Sequence, residues 1–157
     1  MLKLLVGPIA SGKSTYCNKA AQEGFIIVND DSLVMALHGG HYDLYDESLK
    51  PLYKSVENNI IVMALTLGVS VIVDRPNYSR SMRRRYIGLA RSLDANVELV
   101  MMPKDTLEVH ARRRFEGDNR GLSYEYWLQV AKEHESLYED PSKEIEGYNS
   151  LSYWDFC

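Results

Sequence analysis

The sequence predicts an α/β fold in which a parallel sheet carries helices on both faces. Continuous apolar runs recur at Leu2–Val6, Phe25–Val28, Val69–Val73 and Val97–Met101. Strands buried on both faces read as unbroken runs of this kind, whereas half-exposed strands alternate. Longer segments with helical spacing of apolar residues lie between the runs, which is the βαβ pattern. Three of the runs end at Gly7, at Asn29-Asp30-Asp31 and at Asp74. Sites in parallel sheets lie at the carboxyl ends of the strands, so these residues are the first candidates for chemistry.

The elements follow in order. After the first run and a glycine-rich turn, Lys13–Gln22 reads as a helix. Ser32–His38 is a short helix with Asp31 or Ser32 as its cap, broken by Gly39-Gly40. Residues 41–48 are polar and aromatic and read as a loop. Leu49–Leu67 repeats apolar residues at Leu52, Val56, Ile60, Met63 and Leu67 and stops at Gly68. Ser79–Leu93 is an amphipathic helix, Asp105–Phe115 another, and Ser123–Tyr138 a further one. The stretch Tyr148–Phe156 is ambiguous and has room for a last strand.

Composition narrows the class. A chain of 157 residues, 45% apolar and 25% charged, is the size and make-up of one globular domain, here residues 1–157, able to bury a core without disulfides or metal. Its two cysteines, Cys17 and Cys157, have no metal-ligand spacing and suit a reducing, cytoplasmic compartment. The longest apolar stretch, Ile60–Leu67, is too short to span a bilayer, so no membrane partner is expected. The net charge of −4 is unevenly spread. Residues 75–120 hold all ten arginines and Lys104 against six acids, while the tail from Glu125 has two lysines against eight acids. That contrast suggests a local anion site on an acidic protein rather than a duplex-binding surface. The acidic, tyrosine-containing tail is compatible with a subunit contact, so a homo-oligomer is open.

Gly7-Pro8-Ile9-Ala10-Ser11-Gly12-Lys13-Ser14 matches G-x-x-x-x-G-K-[ST] between a predicted strand and a predicted helix. The chemistry requires these residue types. Glycines let main-chain N–H groups turn inward around phosphate oxygens, and the helix starting at Lys13 points its positive end at the same anion. Lys13 reaches the β- and γ-phosphates, and Ser14 offers a hydroxyl to Mg²⁺. The motif therefore predicts a three-layer P-loop NTPase fold with ATP and Mg²⁺ as cofactors.

Phosphoryl transfer to an alcohol benefits from a carboxylate that takes the hydroxyl proton. Asp30, after the second run and expected beside the first strand, fits that role, with Asp31 capping the next helix. Asp74 fits a magnesium-holding acid. On Ser79–Leu93, Arg80, Arg84 and Arg91 fall within about 40° of one another, opposite Met82, Tyr86, Leu89 and Leu93. Such a stripe is ordinarily a solvated face. Arg112-Arg113-Arg114 run into a polar loop ending Arg120-Gly121, which reads as a small arginine-bearing lid at about residues 115–122. One of the triplet is expected to pair with the acidic tail. His38, His41, His110 and His134 show no metal-ligand spacing. Tyr42, Tyr45 and Tyr53 cluster near the acceptor side, as half-buried packing or as a stacking surface for a base.

These motifs resemble the polynucleotide-kinase-like branch of the P-loop kinases, the family of the bacteriophage 5′-hydroxyl polynucleotide kinase, over most of the chain to about residue 130. Gly7–Thr15, Asn29-Asp30-Asp31, and Val73–Ser79 followed by Arg83-Arg84-Arg85 carry the resemblance. It implies that Asp30 deprotonates the acceptor hydroxyl, that Arg120 contacts the transferring phosphates, and that Asp74, Asn77 and Arg84 form the acceptor site. Ala10, Ser11, Gly12, Thr15 and Arg114 would join Gly7, Lys13 and Ser14 around ATP. Two departures fall on the acceptor side. Leu33 stands where the family often has an arginine, and Pro76 where threonine is usual. The expected activity is transfer of the γ-phosphate to a nucleic-acid hydroxyl, above all a polynucleotide 5′-hydroxyl. A nucleoside, nucleotide or other small-molecule acceptor is the alternative, and a non-transferring ATP-binding module the third reading.

Overall fold

In the computed structural model, which describes residues 1–155, five parallel strands form one sheet. They are β1 (Leu2–Val6), β2 (Ile26–Val28), β3 (Val71–Val73), β4 (Val97–Met101) and β5 (Ser150–Tyr153), in the order β2-β3-β1-β4-β5. The order corrects one expectation: β3, not β2, lies beside β1, with Leu2, Lys3 and Leu4 opposite Val71, Ile72 and Val73. Asp30 therefore enters from the sheet edge. The last strand exists but is polar (Ser-Leu-Ser-Tyr), because β5 pairs only with β4. An edge strand needs less apolar character than a central one, which is why its run was ambiguous. Cys157, one of the two thiols behind the compartment expectation, lies outside the described residues, as does Phe156.

Helices connect the strands: α1 (Lys13–Gln22), α2 (Asp30–Leu37), α3 (Lys50–Thr66), α4 (Arg80–Arg91), α5 (Leu107–Glu116), α6 (Tyr124–Ser136) and the short α7 (Lys143–Glu146). Two single-turn 3₁₀ segments, 42–44 and 47–49, occupy the predicted loop. Strand alternation splits the core. Leu2, Leu4 and Val6 pack with Ile61, Tyr86, Ile87 and Ala90 of α3 and α4 on one face. Leu5, Ile72 and Val100 pack with Cys17 and Ala20 of α1 on the other. Each fully buried aliphatic side chain contributes about 1.5–3 kcal/mol relative to exposure. Among the described residues no helix is long and apolar enough to cross a membrane.

Two helices turn differently from their predicted stripes. On α3 the buried residues are Tyr53, Glu57, Ile61 and Ala64, one position on from the apolar repeat, and Leu52, Met63 and Leu67 are exposed. On α4 the buried face includes Arg83 with Tyr86, Ile87 and Ala90. In both cases a buried ion pair outweighs the apolar pattern. Arg83 is 0% exposed and is bidentate to Glu146, Nε to Oε2 at 2.8 Å and Nη2 to Oε1 at 2.9 Å. It also donates to the carbonyls of Asn77, Tyr78 and Glu139. In the basic stripe of α4, Arg84 and Arg91 are exposed and Arg80 is half-buried. Arg80 donates to the Asp140 carbonyl and Arg84 to that of Ile145, so the C-terminal segment runs along the edge of the stripe.

Candidate active site

The phosphate loop runs from the end of β1 to the start of α1. Ala10 (φ 49°) and Gly12 (φ 92°) adopt left-handed backbone, which curls the loop and turns its N–H groups inward. Gly12 caps α1 without a side-chain hydrogen bond, leaving first-turn N–H groups to face an anion. Gly7 cannot carry a side chain, because a Cβ there would sit 2.6 Å from Met102 Cβ. Buried Ser11 closes the loop by donating to the Pro8 carbonyl at 2.8 Å. Lys13 Nζ folds back onto the Gly7 carbonyl (3.1 Å), the Pro8 carbonyl and Ser11 Oγ (3.3 Å). Burial pushes its amine down to about 8, against the attraction of Asp74. A triphosphate chain offers such a desolvated cation a strongly anionic partner.

Lys13 stands in a cleft of about 720 Å³ whose walls include Ala10, Gly12, Ser14, Asp31, Asp74, Arg75, Arg113 and Arg114. Asp74, at the end of β3, accepts from Asn29 Nδ2 at 3.2 Å. Its carboxyl is raised by burial, opposed by Lys13 and the Asn29 hydrogen bond. Behind it the Cys17 thiol is pushed up to about 12 by burial and by Asp74. The Ser14 hydroxyl and the Asp74 carboxylate on one cleft are hard oxygen donors, the set Mg²⁺ takes. The residues present thus fit both a nucleoside triphosphate and its magnesium ion. Thr15 is exposed on the first turn of α1.

Asn29, not Asp31, caps α2: its Oδ1 accepts from Ser32 N at 3.0 Å. Asp30 and Asp31 then fall in the first turn, where the helix dipole favours carboxylates. Asp30 is engaged by Arg75 Nη2 and is raised by burial, with Arg75 pulling the other way. Asp31 lines the cleft itself.

Three predicted site residues are placed elsewhere. Asn77 is fully buried, and its amide holds the Leu5 carbonyl at 2.8 Å and the Arg75 carbonyl at 3.2 Å. With φ 46°, it braces the β3–α4 loop against β1 instead of facing an acceptor. Arg84 points to the C-terminal segment, as described. Arg120 stands off the cleft, with Nε on Asp118 Oδ1 at 3.0 Å and its guanidinium 5.1 Å over the Trp127 ring. Of the triplet, Arg113 and Arg114 line the cleft and Arg112 lies over Tyr124. Among the described residues none of the three forms an ion pair with the tail: Arg113 binds Asp105 and Arg114 stacks 4.7 Å over Trp127. Of the tail acids, Glu139 and Glu146 meet α4 and Glu135 pairs with Lys104.

Sequence reasoning gave no role to Arg75, Glu57 or Arg85. Glu57, inside an apolar-looking helix, is 0% exposed and accepts from Arg75, Arg85 and Tyr86. An acid between Val56 and Ile60 on a helix flanked by apolar residues was the available signal. The tyrosines do form a group: Tyr42 and Tyr45 stack at 6.2 Å and 15°, and Tyr45 meets Tyr53 at 5.5 Å.

A phosphate-binding loop at the head of a β2-β3-β1-β4-β5 parallel sheet flanked by helices is the P-loop kinase fold. A family profile described as an AAA domain matches residues 2–134, and the chain belongs to that family. The L-seryl-tRNA(Sec) kinase of Methanococcus maripaludis is 30% identical over 118 residues, which are 74% of this chain and 46% of that protein. This chain thus spans about half the length of that relative. The Pnkp1/Rnl/Hen1 RNA repair complex aligns with a TM-score of 0.66 at 20% identity, covering 89% of this chain and 47% of that one. A gluconokinase from Sinorhizobium meliloti aligns with a TM-score of 0.55 at 21% identity, covering 96% and 79%.

Proposed function

We propose that the protein transfers the γ-phosphoryl group of ATP to a hydroxyl carried on a nucleic acid, a polynucleotide 5′-hydroxyl being the first candidate. The observation that carries this reading is the pairing of Asp30 with Arg75, which lines the same cleft as Lys13. Asp30 takes the acceptor proton, the acceptor oxygen forms its bond to the γ-phosphorus, and ADP leaves with the bridging oxygen. Lys13 and the loop N–H groups hold the β- and γ-oxygens, with Arg114 lining the same cleft and Arg120 supplied from the lid. Ser14 and Asp74 would hold Mg²⁺, which neutralises charge on those oxygens. The stacked Tyr42 and Tyr45, each 38% exposed, offer a base an aromatic face on the acceptor side. The RNA-linked names of two similar proteins agree with that acceptor class.

A small-molecule acceptor is the second reading. It is favoured by Leu33 and by Arg75, the cation beside Asp30, being already committed to Asp30 and Glu57. Transfer of labelled γ-phosphate to 5′-hydroxyl DNA and RNA, nucleosides, nucleoside monophosphates and gluconate separates the two. Label on the oligonucleotides is expected. Label confined to a small molecule selects the second reading.

A further inference from the structure

Asp30 is oriented from outside its own helix. The Arg75 guanidinium is divided between two acids: Nη2 on Asp30 and Nε on Glu57 Oε1 at 3.0 Å. Glu57 is itself held by Tyr86 OH at 2.9 Å and by Arg85 Nη2 on Oε2 at 2.8 Å. An ionised carboxylate is costly to bury, and well-packed apolar residues do the purely structural job at least as well. This one sits among Ile61, Ala64 and the α4 core, while the arginine it grips is partly exposed and lines the cleft.

We propose that Glu57 is a positioning residue, which fixes the Arg75 guanidinium and through it the orientation of the Asp30 carboxylate without touching substrate. Only the kinetic arm of the test below rests on Asp30 being the base. The charged and titratable groups around Asp30 are Arg75 from the loop after β3, Glu57 from α3, Asp31 on α2 and Arg85 from α4, with Tyr42 nearby. Their signs separate two roles for Glu57. As a bare negative charge, Glu57 raises the Asp30 carboxyl, so neutralising it would lower the titration. As the anchor of Arg75, its loss frees the cation that holds Asp30 down, so the titration would rise.

The test is a carbon-13 NMR titration of the Asp30 carboxyl in the whole protein, assigned with Asp30→Asn, in wild type, Glu57→Gln, Arg75→Gln and Tyr86→Phe. Removing an opposite charge at contact shifts a carboxyl by roughly one unit or more. An upward shift of about that size is expected in Glu57→Gln and in Arg75→Gln, with Tyr86→Phe close to wild type. Arg75→Gln leaves Glu57 with Arg85 and Tyr86, so it keeps the test open if Glu57→Gln does not fold. An unchanged or lowered titration in folded Glu57→Gln overturns the proposal, and so does an unshifted Arg75→Gln if that variant alone folds. The pH dependence of kcat with a 5′-hydroxyl RNA oligonucleotide is then compared. If the NMR titration rises but the acidic limb of kcat does not follow, the positioning stands and the assignment of Asp30 as base falls.

Discussion

Replacing Glu146 by leucine tests how the C-terminal segment is tied to the site. The substitution removes both acceptors of the Arg83 fork and leaves a fully buried guanidinium without its counter-charge. Breaking such a pair costs about 3–5 kcal/mol. The carbonyls of Asn77, Tyr78 and Glu139 remain as acceptors, so the lower end, about 3 kcal/mol, applies. Unfolding entropy of about 2.1 cal/mol/K per residue gives roughly 0.3 kcal/mol/K for a chain of this length. The melting temperature should therefore fall by about 9 °C, read by calorimetry or circular dichroism. Urea titration should show a lower midpoint with an unchanged slope. Adding Arg83→Met should recover most of the loss, since an apolar pair can replace a buried ionic one. A fall of less than about 3 °C would refute the reasoning, because the buried charge would then have found another partner.

Lys13 gives a pH prediction. Its amine, lowered to about 8 in the free protein, must be protonated to hold phosphate, so the affinity is fully present below that value and is lost as pH rises through it. ATP affinity should fall by about tenfold per unit above pH 8, and calorimetry there should show proton uptake on binding. Asp30→Asn should reduce transfer by roughly 10²-fold or more with little change in ATP affinity. Asp31→Asn should do much less, and the reverse ranking makes Asp31 the base. Arg120→Ala should slow transfer by about 10²-fold with the fold retained. A wild-type rate removes Arg120 from the reaction.

The sequence exposes what has a local signature. The phosphate loop was read from fixed residues between a strand and a helix, and the β3 and β4 runs were apolar because both faces are covered. What escaped was long-range. Nothing in the spacing of α4 separates Arg83, which is buried, from Arg84, which is exposed; Glu146, 63 residues away, decides. The α3 stripe misled for a similar reason, since Glu57 takes a core position to meet Arg75 and Arg85. The cap moved from Asp31 to Asn29 because Asn29 also reaches Asp74, a contact 45 residues apart. The helix α7 has four residues, too few for any periodicity to register.

The most direct measurement is ADP release from ATP and Mg²⁺ with and without a 5′-hydroxyl oligonucleotide, in wild type and in Lys13→Ala. The account predicts that the oligonucleotide raises release many-fold in step with its own phosphorylation, and that Lys13→Ala removes both signals. Slow ADP release that no acceptor accelerates, or that survives Lys13→Ala, would contradict it.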